Sequence, residues 1–404
     1  MSVRIRSCVL PCILAWVLLY AVEIRSQQTV FEFTRKLQTC DATDDLALNP
    51  QGSTKVLWSY STHAPETPQG PTHAHTEAGS TSINLFGTAP APIPLPGDVQ
   101  TFDVAVNNHT LPTDVDTFYW CQAYKVNYTQ KMHMIQYDVM VKPGNEGRVH
   151  HVLLYWCDTL TEDDLKFAGN CDGNLPPNLQ QCNFMRPIAA WAIGGGVFQA
   201  PADVGYPVGP GFAQYFLMQV HYDNPKKLPI VDNSFLRMWL TATPRPHDAG
   251  IMFVGRSVDP QSMIIPPGEA AYLVQGYCPR DATNQFTNQN LTVFGTLLHA
   301  HMAGRRLFLQ HVRNGVELEP LAEEPYYDFN YQETRLVYPY TSIQRGDSLI
   351  MNCIYNTQDR TKPTPAGEST REEMCLGYVH YFPLDPNAAR CVSDFVRNQW
   401  YYAG

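Results

Sequence analysis

The chain of 404 residues is short of positive charge, of helix signals and of long apolar runs, and each shortage excludes something. Lys and Arg number 28 against 38 Asp and Glu, a formal net charge of −10. A field of that sign repels phosphate backbones, so nucleic acid is not an expected partner. The one long apolar run, Cys8 to Val22, has about 15 residues, short of the roughly 20 that span a bilayer, so no membrane span is expected. Helical periodicity is scarce; Thr161 to Phe167 has room for one turn or two. There is no short-period repeat. No carboxylate sits at general-base spacing beside the paired histidines, which counts against a zinc hydrolase.

What is present begins with a leader. Arg4 and Arg6, the apolar run and Ile24-Arg25-Ser26 read as a signal peptide over residues 1–26. Its removal would leave 25 basic against 37 acidic residues. Of 11 cysteines, Cys8 and Cys12 fall in the leader. Nine remain: Cys40, Cys121, Cys157, Cys171, Cys182, Cys278, Cys353, Cys375 and Cys391. In an oxidising compartment most should pair and one is left over. Sequons at Asn108, Asn127 and Asn290 fit a glycoprotein of the secretory pathway, in the ER lumen, a secretory granule or outside the cell.

The length predicts two or three domains. Strand signals are common: Ile135, Tyr137, Val139 and Val141 alternate with Gln136 and Asp138. Tyr215 to Tyr222, Thr292 to His301, Arg306 to Val312 and Ser348 to Tyr355 are short and rich in β-branched or aromatic residues. Gly and Pro clusters separate them. The expected class is all-β, two tandem antiparallel jelly-roll sandwiches. Four prolines make residues 88–97 a stiff linker, and a softer boundary lies at 245/246. The domains read as 98–245 and 246–391, with a segment 27–87 before the linker and a tail at 392–404.

Four places carry candidate chemistry: His150-His151, His221, His299-Ala300-His301 and Met374. On a strand, His299 and His301 would share a face and form a two-nitrogen clamp, although a polar surface pair has the same spacing. Apolar Val293, Phe294, Leu297 and Leu298 argue for a buried strand. His150 and His151 would point to opposite faces unless a bulge or strand end intervenes. An isolated pair of this kind is more simply one core and one surface histidine. His221 alone reads as structural and Met374 alone as core packing. Taken together they permit three-ligand sites. Three histidines suit copper or zinc, whereas two histidines and a thioether favour Cu(I). Spacing does not choose these groupings from 13 histidines.

The stretches RVHHVLLYWC, AAWAIGG, QVHYDNP, IIPPGE, LLHAHMAGRR, DFNYQE, GDSLIMNCIYNTQDR and STREEMCLGYVHYFP, with others in the same order from Asp98 to Cys391, resemble the copper type II ascorbate-dependent monooxygenases. The details are most similar to the dopamine β-hydroxylase and monooxygenase X branch. The resemblance implies two coppers per chain, ascorbate as reductant and O2 as co-substrate. It implies an electron-transfer copper on His150, His151 and His221. It implies a second copper on His299, His301 and Met374, where oxygen and substrate meet, with Tyr378 beside it in the catalytic set. It places the two across an open cleft between jelly rolls. It also implies bridges Cys121–Cys171, Cys157–Cys182, Cys278–Cys391 and Cys353–Cys375, leaving Cys40 over. Residues 27–87 resemble part of a DOMON domain, and His63, His73 and His75 there read as loop histidines.

The expected activity is hydroxylation of a C–H bond in a small amine-like or aromatic molecule, with a homodimer possible. Two alternatives stand beside it: a peptidylglycine-type hydroxylase, and a silent binding protein on the same scaffold. Peptide-amidating members hold a substrate carboxylate with an arginine and an asparagine. This chain has Leu297 and Leu376 at those positions, and only Tyr378 matches. Asp203 is a candidate amine partner, read more simply as a solvated loop carboxylate.

Overall fold

The computed structural model describes residues 93–171, 175–182 and 186–394. Before these it describes residue 48 and the backbone of five strands, and after them the backbone of 400–402. The chain forms two compact units, 1–90 and 91–404, and the division falls inside the proline-rich linker.

In the first unit β1 (Ser2–Cys8) pairs parallel and β2 (Leu18–Arg25) antiparallel with β3 (Gln28–Lys36). β4 (Thr54–Tyr60) and β5 (Glu77–Ile83) form an antiparallel pair. Residues 1–26, read as a leader, carry β1 and β2. Cys40, His63, His73 and His75 lie outside the described residues.

The second unit contains two sandwiches in series. In the first, one sheet runs β11 (Ala168–Asn170), β8 (Thr117–Lys125), β15 (Tyr215–Asp223), β10 (Val149–Cys157) and β12 (Pro187–Ala192). The facing sheet runs β18 (His247–Asp248), β14 (Val204–Val208), β9 (Met132–Met140), β17 (Phe235–Thr241) and β6 (Gln100–Ala105). β13 (Phe198–Gln199) pairs with β9, and β7 (His109–Thr110) pairs with β16 (Val231–Asp232). The alternation read here is met from Ile135 to Val139, with Ile135, Tyr137 and Val139 buried and Gln136 and Asp138 half-buried, whereas Val141 lies past the end of β9 and is half-buried.

In the second sandwich one sheet runs β26 (Arg335–Gln344), β22 (Asn290–His299), β29 (Leu376–Phe382), β19 (Gly250–Arg256), β30 (Arg390–Ser393) and β31 (Trp400–Tyr402). The other runs β21 (Tyr272–Cys278), β27 (Ser348–Tyr355), β23 (Gly304–Arg313) and β24 (Val316–Glu317), with β25 (Ala322–Glu324) on β23. β20 (Ile264–Ile265) pairs with β28 (Thr364–Pro365). Among the described strands of this unit, pairing is antiparallel except at β14–β18 and β19–β30, and isolated parallel bridges join Gly194 to Gln332, Val208 to Ala213 and Ala366 to Glu373. The all-β expectation holds among the described residues. The one α-helix there, Arg280–Thr283, has four residues, and the Thr161–Phe167 stretch makes a single 3-10 turn at Asp164–Lys166.

The two sandwiches are not separated by solvent. The apolar core of the first continues into the second through Phe294, Leu297, Met374, Leu376 and Tyr378, from and beside β22 and β29. Burying that shared face fixes the angle at which histidines from the two sandwiches meet. Within the second sandwich β19 and β21 touch backbone to backbone. A Cβ on Gly276 would lie 2.1 Å from the carbonyl carbon of Gly255, and Gly255 itself has φ +146°. All four expected bridges are formed: Cys121–Cys171, Cys157–Cys182, Cys278–Cys391 and Cys353–Cys375. Asn108, Asn127 and Asn290 are exposed.

Candidate metal centre

The first histidine group is built by a strand irregularity. Across β10 and β15, Val149 pairs with Tyr222 and His151 with His221, and the register shifts between Val149 and His151. The extra residue is His150. A bulge of this kind lets adjacent side chains turn to one face, which is what joint ligation by His150 and His151 required. One ring nitrogen from each of His150, His151 and His221 lies within 4.8 Å of the others. Tyr119 stacks on His221 with ring centres 4.4 Å apart.

The hydrogen bonds select the inward nitrogens. His150 donates from Nε2 to the Phe329 carbonyl at 3.1 Å, and His221 Nε2 meets the Thr117 hydroxyl at 2.9 Å. The Nδ1 atoms of His150, His151 and His221 are buried and have no hydrogen-bond partner. Three buried lone pairs without protein partners on neighbouring rings are a donor set suited to a metal ion, since buried polar atoms otherwise find partners.

The second group differs from its sequence reading. β22 ends at His299, so His301 stands in the following loop rather than two positions along a strand. The rings still meet edge to face, with centres 5.1 Å apart. The Tyr327 hydroxyl holds Ala300 between them, donating to its carbonyl and accepting its N–H. His299 bonds through Nδ1 to Gln332 Oε1 at 2.6 Å. His301 bonds through Nδ1 to the Glu372 carbonyl at 3.1 Å, and its buried Nε2 has no partner. Met374 is buried two residues from Leu376, the cross-strand partner of His299. Glu373 binds the two ends together: its carboxylate accepts the N–H of His301 at 2.8 Å and of Ala303 at 2.6 Å. His301 is thus bonded to both residues that precede Met374.

Burial sets the charge state. It holds His150 down at about 3, with the His299 charge acting in the same sense, and His299 down at about 4. It also holds His151, His221 and His301 well below the ordinary range. All five rings are therefore neutral donors at pH 7. Burial pushes Glu373 up to about 8 against the pull of its N–H partners. The three-nitrogen set fits copper, and the neutral His299 and His301 pair offers two further nitrogen donors.

The open cleft implied by the resemblance is not what the structure shows. His151 and His299 have ring centres 5.8 Å apart, and Phe329 stacks on His150 at 3.9 Å. Arg371 pairs with Asp116 at 3.1 Å, and the Tyr119 hydroxyl donates to the Glu368 carbonyl. These contacts also join the two sandwiches. Leu297 pairs with Tyr378 and His299 with Leu376 across β22 and β29, so all four share one buried face. Asp203 stands elsewhere, exposed and 3.8 Å from His247 on the β14–β18 edge, so the simpler reading of it holds. Sequence reasoning passed over Thr117, Tyr327, Phe329, Gln332 and Glu373. The signals were the DFNYQE stretch for Phe329 and Gln332, STREEMC for Glu373 and TFYWCQAY for Thr117; Tyr327 lies just before DFNYQE and had none.

Residues 102–229 match the N-terminal domain and residues 247–402 the C-terminal domain of the copper type II ascorbate-dependent monooxygenases. DBH-like monooxygenase protein 1 of Homo sapiens is 37% identical over 383 residues, covering 93% of this chain and 61% of the relative. The Gallus gallus protein of the same name is 36% identical over 385 residues, 93% of this chain and 61% of the relative. Dopamine beta-hydroxylase of Rattus norvegicus is 35% identical over 294 residues, 72% of this chain and 47% of that protein. The chain thus spans less than two thirds of the length of these relatives. With two domain matches in order and the histidine groups that the fold assembles, the chain belongs to the copper type II ascorbate-dependent monooxygenase family.

Proposed function

We propose that the chain is a copper-dependent monooxygenase that hydroxylates an activated C–H bond of a small amine-like or aromatic molecule with O2 and ascorbate. Copper on His150, His151 and His221 would supply one-electron transfer, and copper on His299, His301 and Met374 would supply oxygen binding beside the substrate. The stoichiometry takes two electrons and two protons, and one oxygen atom leaves as hydroxyl on the product and the other as water. The observation that carries this reading is the set of buried, unpartnered ring nitrogens aimed inward from neutral histidines.

The chain's own residues exclude water and select substrate. Leu297, Leu376 and Tyr378 present an apolar face with one phenol beside His299. A substrate carboxylate facing two leucines would lack charge-assisted hydrogen bonds, each contributing roughly 1.5–3 kcal/mol. That supports a flat or apolar substrate over a glycine-extended peptide. The test is a side-by-side oxygenation assay of the copper-loaded protein with ascorbate, using a phenylethylamine and a glycine-extended peptide. Product from the amine is expected, and faster hydroxylation of the peptide defeats the reading.

The secretory pathway is part of the same proposal. Four disulfides fit an oxidising compartment, and the three sequons are exposed. Among the described residues no helix is long and apolar enough to cross a membrane. A mobility shift on glycosidase treatment of the protein expressed in animal cells would support it.

A further inference from the structure

The DFNYQE stretch has no part in the ligand sets, yet two of its residues touch both histidine groups. Gln332 and Phe329 are almost wholly buried. The Gln332 amide donates from Nε2 to the Phe329 carbonyl at 2.8 Å, and the same carbonyl accepts Nε2–H of His150 at 3.1 Å. A carbonyl only accepts, so the nitrogen end of the Gln332 amide must face it. Oε1 then faces Nδ1 of His299, at 2.6 Å, and that nitrogen must carry the proton. The consequence runs to both ends. His299 is left with Nε2 free of the proton, and His150 with Nδ1 free, the atom found buried without a partner.

The backbone repeats the connection. Ile193 N–H donates to the His150 carbonyl at 2.7 Å, and Gln332 N–H donates to the Ile193 carbonyl at 3.0 Å. The Phe329 ring adds packing at both groups, stacked on His150 at 3.9 Å and edge-on to His301 at 5.9 Å. Loose rings in a metal site flip between tautomers, and a partner on the outer nitrogen prevents it.

We propose that Gln332, acting through the Phe329 carbonyl, is a positioning residue that sets the metal-facing nitrogen of His299 and of His150 together, so that one side chain of the second sandwich organises a ligand in each histidine group. The inference rests on the copper reading above. Copper binding by the unaltered chain tests that reading, and the differences among variants test this one.

The experiment uses the full chain loaded with Cu(II) and reads electron paramagnetic resonance and copper retention on dialysis for each group separately. In a His301→Ala background the spectrum belongs to the first group, and in a His221→Ala background to the second. Gln332→Glu keeps an acceptor for His299 but places a carboxylate oxygen against the Phe329 carbonyl, where it cannot donate. The expected result is a changed copper hyperfine pattern and faster copper loss, about 10-fold, at the first group, with the second group little altered. Gln332→Leu removes both bonds and should disturb both groups. Asn330→Ala, on an exposed residue of the same loop, should disturb neither. Gln332→Glu keeps the size and shape of the side chain, so it remains informative if Gln332→Leu fails to fold. A first group unchanged by both Gln332 variants overturns the proposal, as does a Gln332→Glu effect confined to the second group.

Discussion

Met374 shows how little a single residue declares about its role. It is buried among apolar side chains, as most methionines are, and only its place in the chain directly after Glu373, which binds the His301 N–H, sets it apart. Met374→Ala is expected to abolish copper–sulfur X-ray scattering in the reduced protein and to lower hydroxylation by roughly 100-fold or more, while copper on His150, His151 and His221 is retained. Reduced wild-type protein without such scattering would remove Met374 from the ligand set. Glu373→Leu should leave two buried N–H groups without acceptors, at about 1–3 kcal/mol each, and lower the melting temperature accordingly. The histidines also fix a pH dependence. Their folded-state pKa values are depressed, to about 3 for His150 and about 4 for His299, so the neutral form is favoured by folding. Stability from these groups is present above the ordinary value near 6.5 and is lost as pH falls toward 3–4. A melting series on the metal-free protein from pH 7.5 to 4.5 should show a steady decline, and a flat profile would contradict it. The six ligand candidates were legible in the sequence through their motifs. Their partners were not, because Gln332 is 33 positions from His299 and Phe329 is 179 from His150, and no local pattern records such a contact.

Elements convert these side chains into a site through three local departures from regular strand geometry. The register shift at His150 turns two adjacent histidines inward, the end of β22 frees His301 from strand alternation, and Met374 lies two residues before β29 begins. The last is braced on two sides. Cys375 is bonded to Cys353 of β27, and its carbonyl oxygen would lie 2.1 Å from any Cβ placed on Gly255. Cys375→Ser is expected to cost about 3 kcal/mol and to weaken retention of the Met374 copper more than that of the other, read by denaturant unfolding and metal analysis. Gly276→Ala, at the backbone contact of β19 with β21, should cost at least roughly 1–3 kcal/mol by forcing the sheets apart. An unchanged unfolding midpoint would mean that the sheets yield there. The strands themselves were legible from period-two alternation, as in β9. The bulge was legible only as a requirement, because sequence states that two adjacent histidines need one and says nothing of whether the strand supplies it.

At the scale of the whole molecule the decisive surface is the joint between the sandwiches. Tyr206 of the first and His380 of the second meet there at 2.5 Å, both fully buried, amid Phe198 and Phe294. Burial holds His380 down at about 3, so it too is favoured neutral, and acid should loosen the joint along with the metal groups. His380→Gln is expected to reduce the acid sensitivity of unfolding, and an unaltered slope of melting temperature against pH would exclude that contribution. The sequence by itself determined the all-β class, and through its resemblance to a known family it implied the four disulfides and the ligand candidates. The class follows from side-chain alternation, and the pairings and ligand candidates from motifs matched in order, all properties of the chain read along its length. Tertiary structure decided which ring nitrogens find partners, that His301 leaves the strand, and that the two histidine groups come together, with the His151 and His299 rings 5.8 Å apart, rather than across an open cleft. The physical reason is that each of these depends on a donor, an acceptor or an apolar face supplied by the other sandwich. Such partners are chosen by how the two cores pack together, and packing is set by the folded surface rather than by spacing in the chain.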